Sequence, residues 1–240
     1  LLYDFDLMLG GGHLRGYLLG EKEQERIQKA LSFLADAKCF GDKYHVKNRP
    51  VLLFAVGDGN HSLATAKTCW EEIKKELSEE EIKTHPARFA LVELMNIHDE
   101  TLEFEPIQRV IFETEPKKLL DELVAFYGAE YEDNGGQRID YTYGGNEGSI
   151  YIKNTDSNLP VGTLQKFLDK YLTENGGKID YIHGNDVVRN LAKADNTIGF
   201  MVDSMEKNDL FTTVIKDGSL PRKTFSMGEA ADKRFYLECK

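Results

Sequence analysis

The run Val51-Leu-Leu-Phe-Ala-Val56 meets Gly57-Asp-Gly-Asn-His-Ser62 and passes at once into apolar positions at helical spacing, Leu63, Ala66, Trp70, Ile73 and Leu77. A solid apolar run of mostly strand-forming residues followed by a period near 3.6 predicts a buried strand over Val51–Val56. It also predicts a helix over Ser62–Leu77, with Trp70 on its core face. The chain must therefore house both periodicities. The glycine turn between them exposes the first N–H groups of the helix, and these, with the positive end of the helix dipole, favour a phosphate or carboxylate.

Capping accounts for part of this turn. Asn60 or Asp58 can act as an N-cap, and Gly59 tolerates a backbone angle that other residues avoid. At about 100° per residue, however, His61, Thr65 and Thr68 fall opposite the apolar seam, away from a core position. Two glycines, an acid, an amide, an imidazole and a hydroxyl within six residues exceed what a cap needs. Gly59, Asn60 and Ser62 are accordingly candidate phosphate-binding residues. Asp58 and His61 are candidate catalytic residues, placed to orient a hydroxyl or a metal-bound water.

The chain has 240 residues, enough for one large core or two modest domains. No apolar stretch reaches the length of a membrane span, and Asp4 and Asp6 interrupt the apolar start. Three cysteines, Cys39, Cys69 and Cys239, have no paired short spacing, which fits a reducing cytoplasm and neither a disulfide framework nor a structural zinc site. A net charge of -11 without a basic stripe argues against nucleic acid as a partner. In so acidic a chain a small anion must be held by a few local cations, which singles out Arg109, Arg222 and Lys223.

Along the chain, Tyr3–Leu9 and His13–Leu19 flank Gly10-Gly-Gly12 as a hairpin, and a helix is predicted from about Glu23 to Lys38. Phe89–Ile97 is an apolar run suited to a central strand, with a shorter strand over Arg109–Phe112 after the Glu105-Pro106 break. Thr114 and Pro116 start a helix ending at Gly128, with Leu119, Leu120, Leu123, Phe126 and Tyr127 inward. Glu130–Lys153 reads as an antiparallel meander. Pro160 opens a helix with Leu164, Phe167, Leu168 and Tyr171 as its seam, stopped by Asn175-Gly176-Gly177. Ile179–His183 and Thr197–Val202 read as strands, with Asn185 capping a short helix between them.

These patterns give an α+β fold, a mixed sheet with flanking helices plus a smaller antiparallel meander. Residues 1–128 form a core carrying the turn, and residues 129–240 a second lobe or sheet extension. Arg109, near a strand start, can meet a phosphate or carboxylate in bidentate fashion or form a surface ion pair. Lys223, in a loop set by Pro221, is a further phosphate-binding candidate, and His183, ending a strand just before a helix, is a site candidate by the same strand-turn-helix logic. No histidine spacing supports a metal site.

Gly57-Asp-Gly-Asn-His-Ser-Leu-Ala-Thr-Ala-Lys67, His85-Pro86 leading into Ala90–Ile97, Glu105-Pro-Ile-Gln-Arg109 and Leu220-Pro-Arg-Lys-Thr-Phe225 together resemble the prokaryotic family known as domain of unknown function 1015. Other members often read Asp-Gly-His-His-Arg where this chain has Asp58-Gly-Asn-His-Ser62, and Pro-Thr-His-Arg where it has Pro106-Ile-Gln-Arg109. The first signature is similar to that of the ParB/sulfiredoxin-like fold, which includes nucleotide-using enzymes and a free serine kinase. The resemblance implies a ParB/sulfiredoxin-like core, a nucleotide ligand with Mg, and a kinase-like phosphotransfer to a small molecule. Members usually carry a further N-terminal portion, so this chain looks like a C-terminal fragment, and in the resembling kinases the proposed base is an acidic residue near the domain start. The alternative, from a different class, is a non-catalytic domain that binds an anionic metabolite or a protein partner through the same turn.

Overall fold

The computed structural model describes residues 1–57, 59–155 and 157–227, the side chain of Leu9 excepted. It is an α+β structure in which β1 (Tyr3–Asp6) and β2 (His13–Gly16) form an antiparallel hairpin across the Gly10–Gly12 glycines. Four helices follow, α1 (Glu21–Leu34), α2 (Ala37–Tyr44), α3 (Asn60–Ile73) and α4 (Glu79–Thr84). Next come β3 (Phe104–Phe112), α5 (Pro116–Tyr127), β4 (Gln137–Tyr143), β5 (Asn146–Ile152) and α6 (Pro160–Asn175). The described chain ends with β6 (Lys178–His183), α7 (Asn185–Leu191), β7 (Ile198–Met201), α8 (Lys207–Asp217) and β8 (Phe225–Met227). The chain divides into two compact units, residues 1–21 with 100–240, and residues 22–99.

In the first unit the six-stranded sheet runs β5-β4-β7-β3-β6, with β8 on the leading end of β3, and every pairing is antiparallel. β3 starts earlier than the sequence predicts and runs through Pro106. Proline lacks an N–H, which is tolerable where one side of a strand is unpaired, and Pro106 faces only Phe225 of β8 because the ladder to β6 begins at Ile107. Alternation then sorts β3 onto two faces. Val110 packs with Val188 of α7, Met201, Phe112 and Ile182. Arg109, on the opposite face, reaches Gln165 of α6.

The helices of this unit follow local punctuation. α5 begins with Pro116 at its first position and ends at Gly128, whose left-handed backbone (φ 61°) is what a C-cap glycine provides. Leu119, Leu120 and Leu123 are buried as predicted, while Phe126 is 40% exposed. α6 buries Leu164, Phe167, Leu168 and Tyr171, its whole predicted seam. Asn185 is the first residue of α7 rather than its cap, a place taken by Gly184.

The second unit departs from the sequence reading. Val51–Val56 and Phe89–Ile97 are not strands. Their composition suits a pleated sheet, but a strand exists only where a neighbouring backbone completes its ladder, and neither run has one among the described residues. α3 starts at Asn60 and buries no residue, so its apolar seam is a partly covered stripe. Trp70 is half-buried, not buried as predicted, and stacks on His85 with ring centroids 5.8 Å apart. The imidazole of His85 in turn accepts from the Ala87 N–H at 3.2 Å, a structural role.

Candidate functional site

The turn before α3 is exposed on the described residues that flank its helix. Gly59 occupies the N-cap position in the left-handed region, φ 79° and ψ 16°, which an L side chain rarely adopts. Its carbonyl accepts from Leu63 N–H at 2.9 Å, closing the first helical turn. Among the described residues no side chain caps the helix, and its first turn, from Asn60, holds no acidic residue. Gly59, Asn60, His61 and Ser62 are all exposed, and a Cβ placed on Gly59 would meet nothing within 4 Å. His61, Thr65 and Thr68 face solvent, as the helical phase predicts. Asp58 lies outside the described residues.

The remaining site candidates belong to the other unit, where the sheet brings Arg109 and His183 to one face. Arg109 of β3 pairs in register with Tyr181 of β6, and Ile107 with His183, so Tyr181 and His183 share the face of Arg109. Arg109 does not lie at an exposed strand start. It sits mid-strand and is fully buried. Its Nε donates to Gln165 Oε1 at 3.2 Å, one terminal nitrogen to the Ile107 carbonyl and the other to the Arg222 carbonyl at 3.2 Å. Among the described residues no carboxylate lies within ion-pair distance of it. Burial brings the pKa of this guanidinium down to about 10, with Arg222 adding to the shift and Tyr181 and Asp169 opposing it.

Arg222 covers the same region from the loop before β8. Its guanidinium lies 5.9 Å from the centroid of the Tyr181 ring, that of Arg109 5.3 Å from it. The side chain of Arg222 is 67% exposed and meets Asp169 of α6 at 3.5 Å. Lys223 is exposed and left-handed, φ 57°. The Tyr181 hydroxyl is buried and has no hydrogen-bond partner among the described residues. Sequence reasoning missed Tyr181 and Gln165; alternation from His183 would have placed Tyr181 on its face, but nothing local ties Gln165 to Arg109 across 56 positions.

A separate hollow of about 870 Å³ at one end of the sheet is lined by Thr114, Lys118, Tyr171, Asn175, Lys178 and Asn196, among others, and by none of the predicted site residues. Among the described residues no three His, Cys, Asp or Glu side chains converge to hold a metal, and no helix is long and apolar enough to cross a membrane.

Solved structures with some likeness include two mutant forms of a free serine kinase. The form in complex with AMP has 14% identity and a TM-score of 0.42, covering 56% of this chain and 57% of that one. The form in complex with ADP has 13% identity and a TM-score of 0.48, covering 88% and 82%. SbnI with a C-terminal truncation, from Staphylococcus aureus, has 11% identity and a TM-score of 0.49, covering 73% and 63%. The chain thus spans less than two thirds of the first and the last of these. Likeness at this level leaves function to be argued from the chain's own residues. No curated protein matches the chain. Residues 1–171 match the family model described as a protein of unknown function, DUF1015, and the chain belongs to that family.

Proposed function

We propose that the chain binds the phosphate of a small molecule, a nucleotide foremost, at the turn formed by residues 58–62, and that it serves phosphotransfer to a small molecule. The observation that carries this reading is the start of α3, which among the described residues has no side-chain cap and no first-turn acid and exposes Asn60, His61 and Ser62. Free helix N–H groups in that setting favour an anion over water. In this reading Gly59, Asn60 and Ser62 bind the phosphate, while Asp58 and His61 orient the accepting hydroxyl. Mg would be held by one or two carboxylates and the nucleotide's own phosphates, the usual arrangement for that ion.

One observation favours a second reading, binding without catalysis. A catalytic histidine is normally oriented by another group, and His61 is exposed, with no hydrogen bond or ion pair to orient it among the described residues. Calorimetric titration with ADP and ATP, with and without Mg, tests the binding. Gly59→Val should abolish it, through a strained backbone and blocked approach. Ser62→Ala should weaken it by about 0.5–1.5 kcal/mol, the range for a neutral hydrogen bond. Unchanged affinity in Gly59→Val would remove the turn from consideration. If His61→Ala retains affinity and full phosphotransfer to small hydroxyl acceptors, the histidine is no part of the chemistry.

A further inference from the structure

The unit that does not contain the turn holds a concentration of hydrogen-bond donors and positive charge. Two guanidiniums, Arg109 and Arg222, address one tyrosine ring. The hydroxyl of that tyrosine is buried and has no hydrogen-bond partner among the described residues, although a buried hydroxyl ordinarily finds a partner. Arg109 carries a buried charge with no carboxylate within ion-pair distance among the described residues, its three bonds being to neutral oxygens. Isolated buried charge is unfavourable unless something offsets it. The nearest acid, Asp169, is shared, accepting from Gln165 Nε2 at 2.8 Å and meeting Arg222 at 3.5 Å. What Arg109 and the Tyr181 hydroxyl lack, among the described residues, is an anionic partner.

We propose that Tyr181 Oη, Arg222 and Lys223, backed by the fixed charge of Arg109, form a binding site for a phosphoryl group, as inorganic phosphate or a phosphate monoester. A tetrahedral oxyanion fits better than a planar carboxylate because the donors approach from different elements, Tyr181 from β6 and Arg222 and Lys223 from the loop before β8. Arg222 is the part that moves. Mostly exposed, and held by a 3.5 Å ion pair to Asp169 and by the Tyr181 ring, it exchanges Asp169 for the incoming oxygen and uncovers the Tyr181 hydroxyl. Arg109 stays in place, since three bonds fix it to β3, α6 and the Arg222 backbone. Asp169 therefore competes with the ligand, which gives the site a signature that a purely structural cluster would lack.

The site is read in a Gly59→Val background, where binding at the turn is removed, so its fate is independent of the function proposed above. Inorganic phosphate, glycerol 3-phosphate and acetate are titrated calorimetrically into the intact chain. Saturable binding of one or both phosphates and not of acetate is expected, and the stronger of the two tells whether the site prefers free or esterified phosphate. Tyr181→Phe and Arg222→Gln should each weaken it about tenfold or more, the effect of a charge-assisted hydrogen bond. Asp169→Asn should tighten it several-fold by releasing Arg222. Absence of phosphate binding in the Gly59→Val chain overturns the proposal. So does binding that Tyr181→Phe and Arg222→Gln leave unchanged, or a weakening by Asp169→Asn, provided the variants keep the parent's circular dichroism.

Discussion

A guanidinium with no exposed surface must find its acceptors inside the fold, and Arg109 finds them on three pieces of chain far apart in sequence, Ile107, Gln165 and Arg222. The planar fork can serve all three at once and an ammonium cannot. Arg109→Lys should therefore lower stability by about 1–3 kcal/mol, the range for leaving a buried polar group unsatisfied. An unchanged midpoint in chemical denaturation would mean that the fork does not fasten the loop before β8 to the sheet. Nothing in the neighbourhood of Arg109 announces this, because a basic residue beside Gln108 and Val110 reads equally well as a surface cation. Trp70 errs in the opposite direction. Its place on the helical seam is readable, but the depth of its burial depends on what covers the seam, and here that is chiefly His85. Trp70→Ala should accordingly lower stability by about 1–2 kcal/mol, less than the 3–5 kcal/mol of a fully buried tryptophan.

Elements whose signals are local were legible in the sequence. The limits and buried stripes of α5 and α6 follow from Pro116, Gly128, Pro160 and Gly176, together with leucines and aromatics at helical spacing. The hairpin of β1 and β2 follows from its glycines, and β6 and β7 from apolar runs that do find neighbours. Val51–Val56 and Phe89–Ile97 are at least as apolar as β6 and have no ladder among the described residues, so residue type alone could not decide their state. The packing of α7 against the sheet shows a second nonlocal demand. Gly199 of β7 lies between Thr142 and Val110 in register. A Cβ there would stand 2.4 Å from Val188 Cγ1 and 3.2 Å from Thr142 Cγ2. Val188 is fully buried and cannot step aside without disturbing its neighbours. Gly199→Ala should therefore destabilise the chain by about 1–3 kcal/mol through overpacking, measured as a shift in thermal or chemical midpoint. Tolerance of the methyl group would show that α7 is less tightly seated than its contacts imply.

The two units differ in how much apolar surface they remove from water. In residues 22–99 Phe40 alone joins the buried hydrophobic set of the described residues, whereas residues 100–227 contribute Val110, Ile111, Leu119, Leu123, Ile139, Ile150, Leu164, Phe200 and others. Burial of apolar area is the dominant favourable term in folding, and regions with few buried contacts open at lower free energy than the global transition. The unit carrying the proposed phosphate turn should thus be the less stable one. The chain offers a direct probe of it, since its one tryptophan, Trp70, lies in that unit. In a denaturant titration the fluorescence of Trp70 should change at a lower concentration than the far-ultraviolet circular dichroism, which is weighted by the helices and strands of both units. Amides of α3 and α4 should likewise exchange faster than those of β3, β6 and β7. An ADP titration raises the first transition and leaves the second in place if the nucleotide binds at the turn, because a ligand stabilises only the form that binds it. Coincident transitions by the two probes would show instead that the units unfold as one, and that the sparse core of residues 22–99 is no guide to its stability.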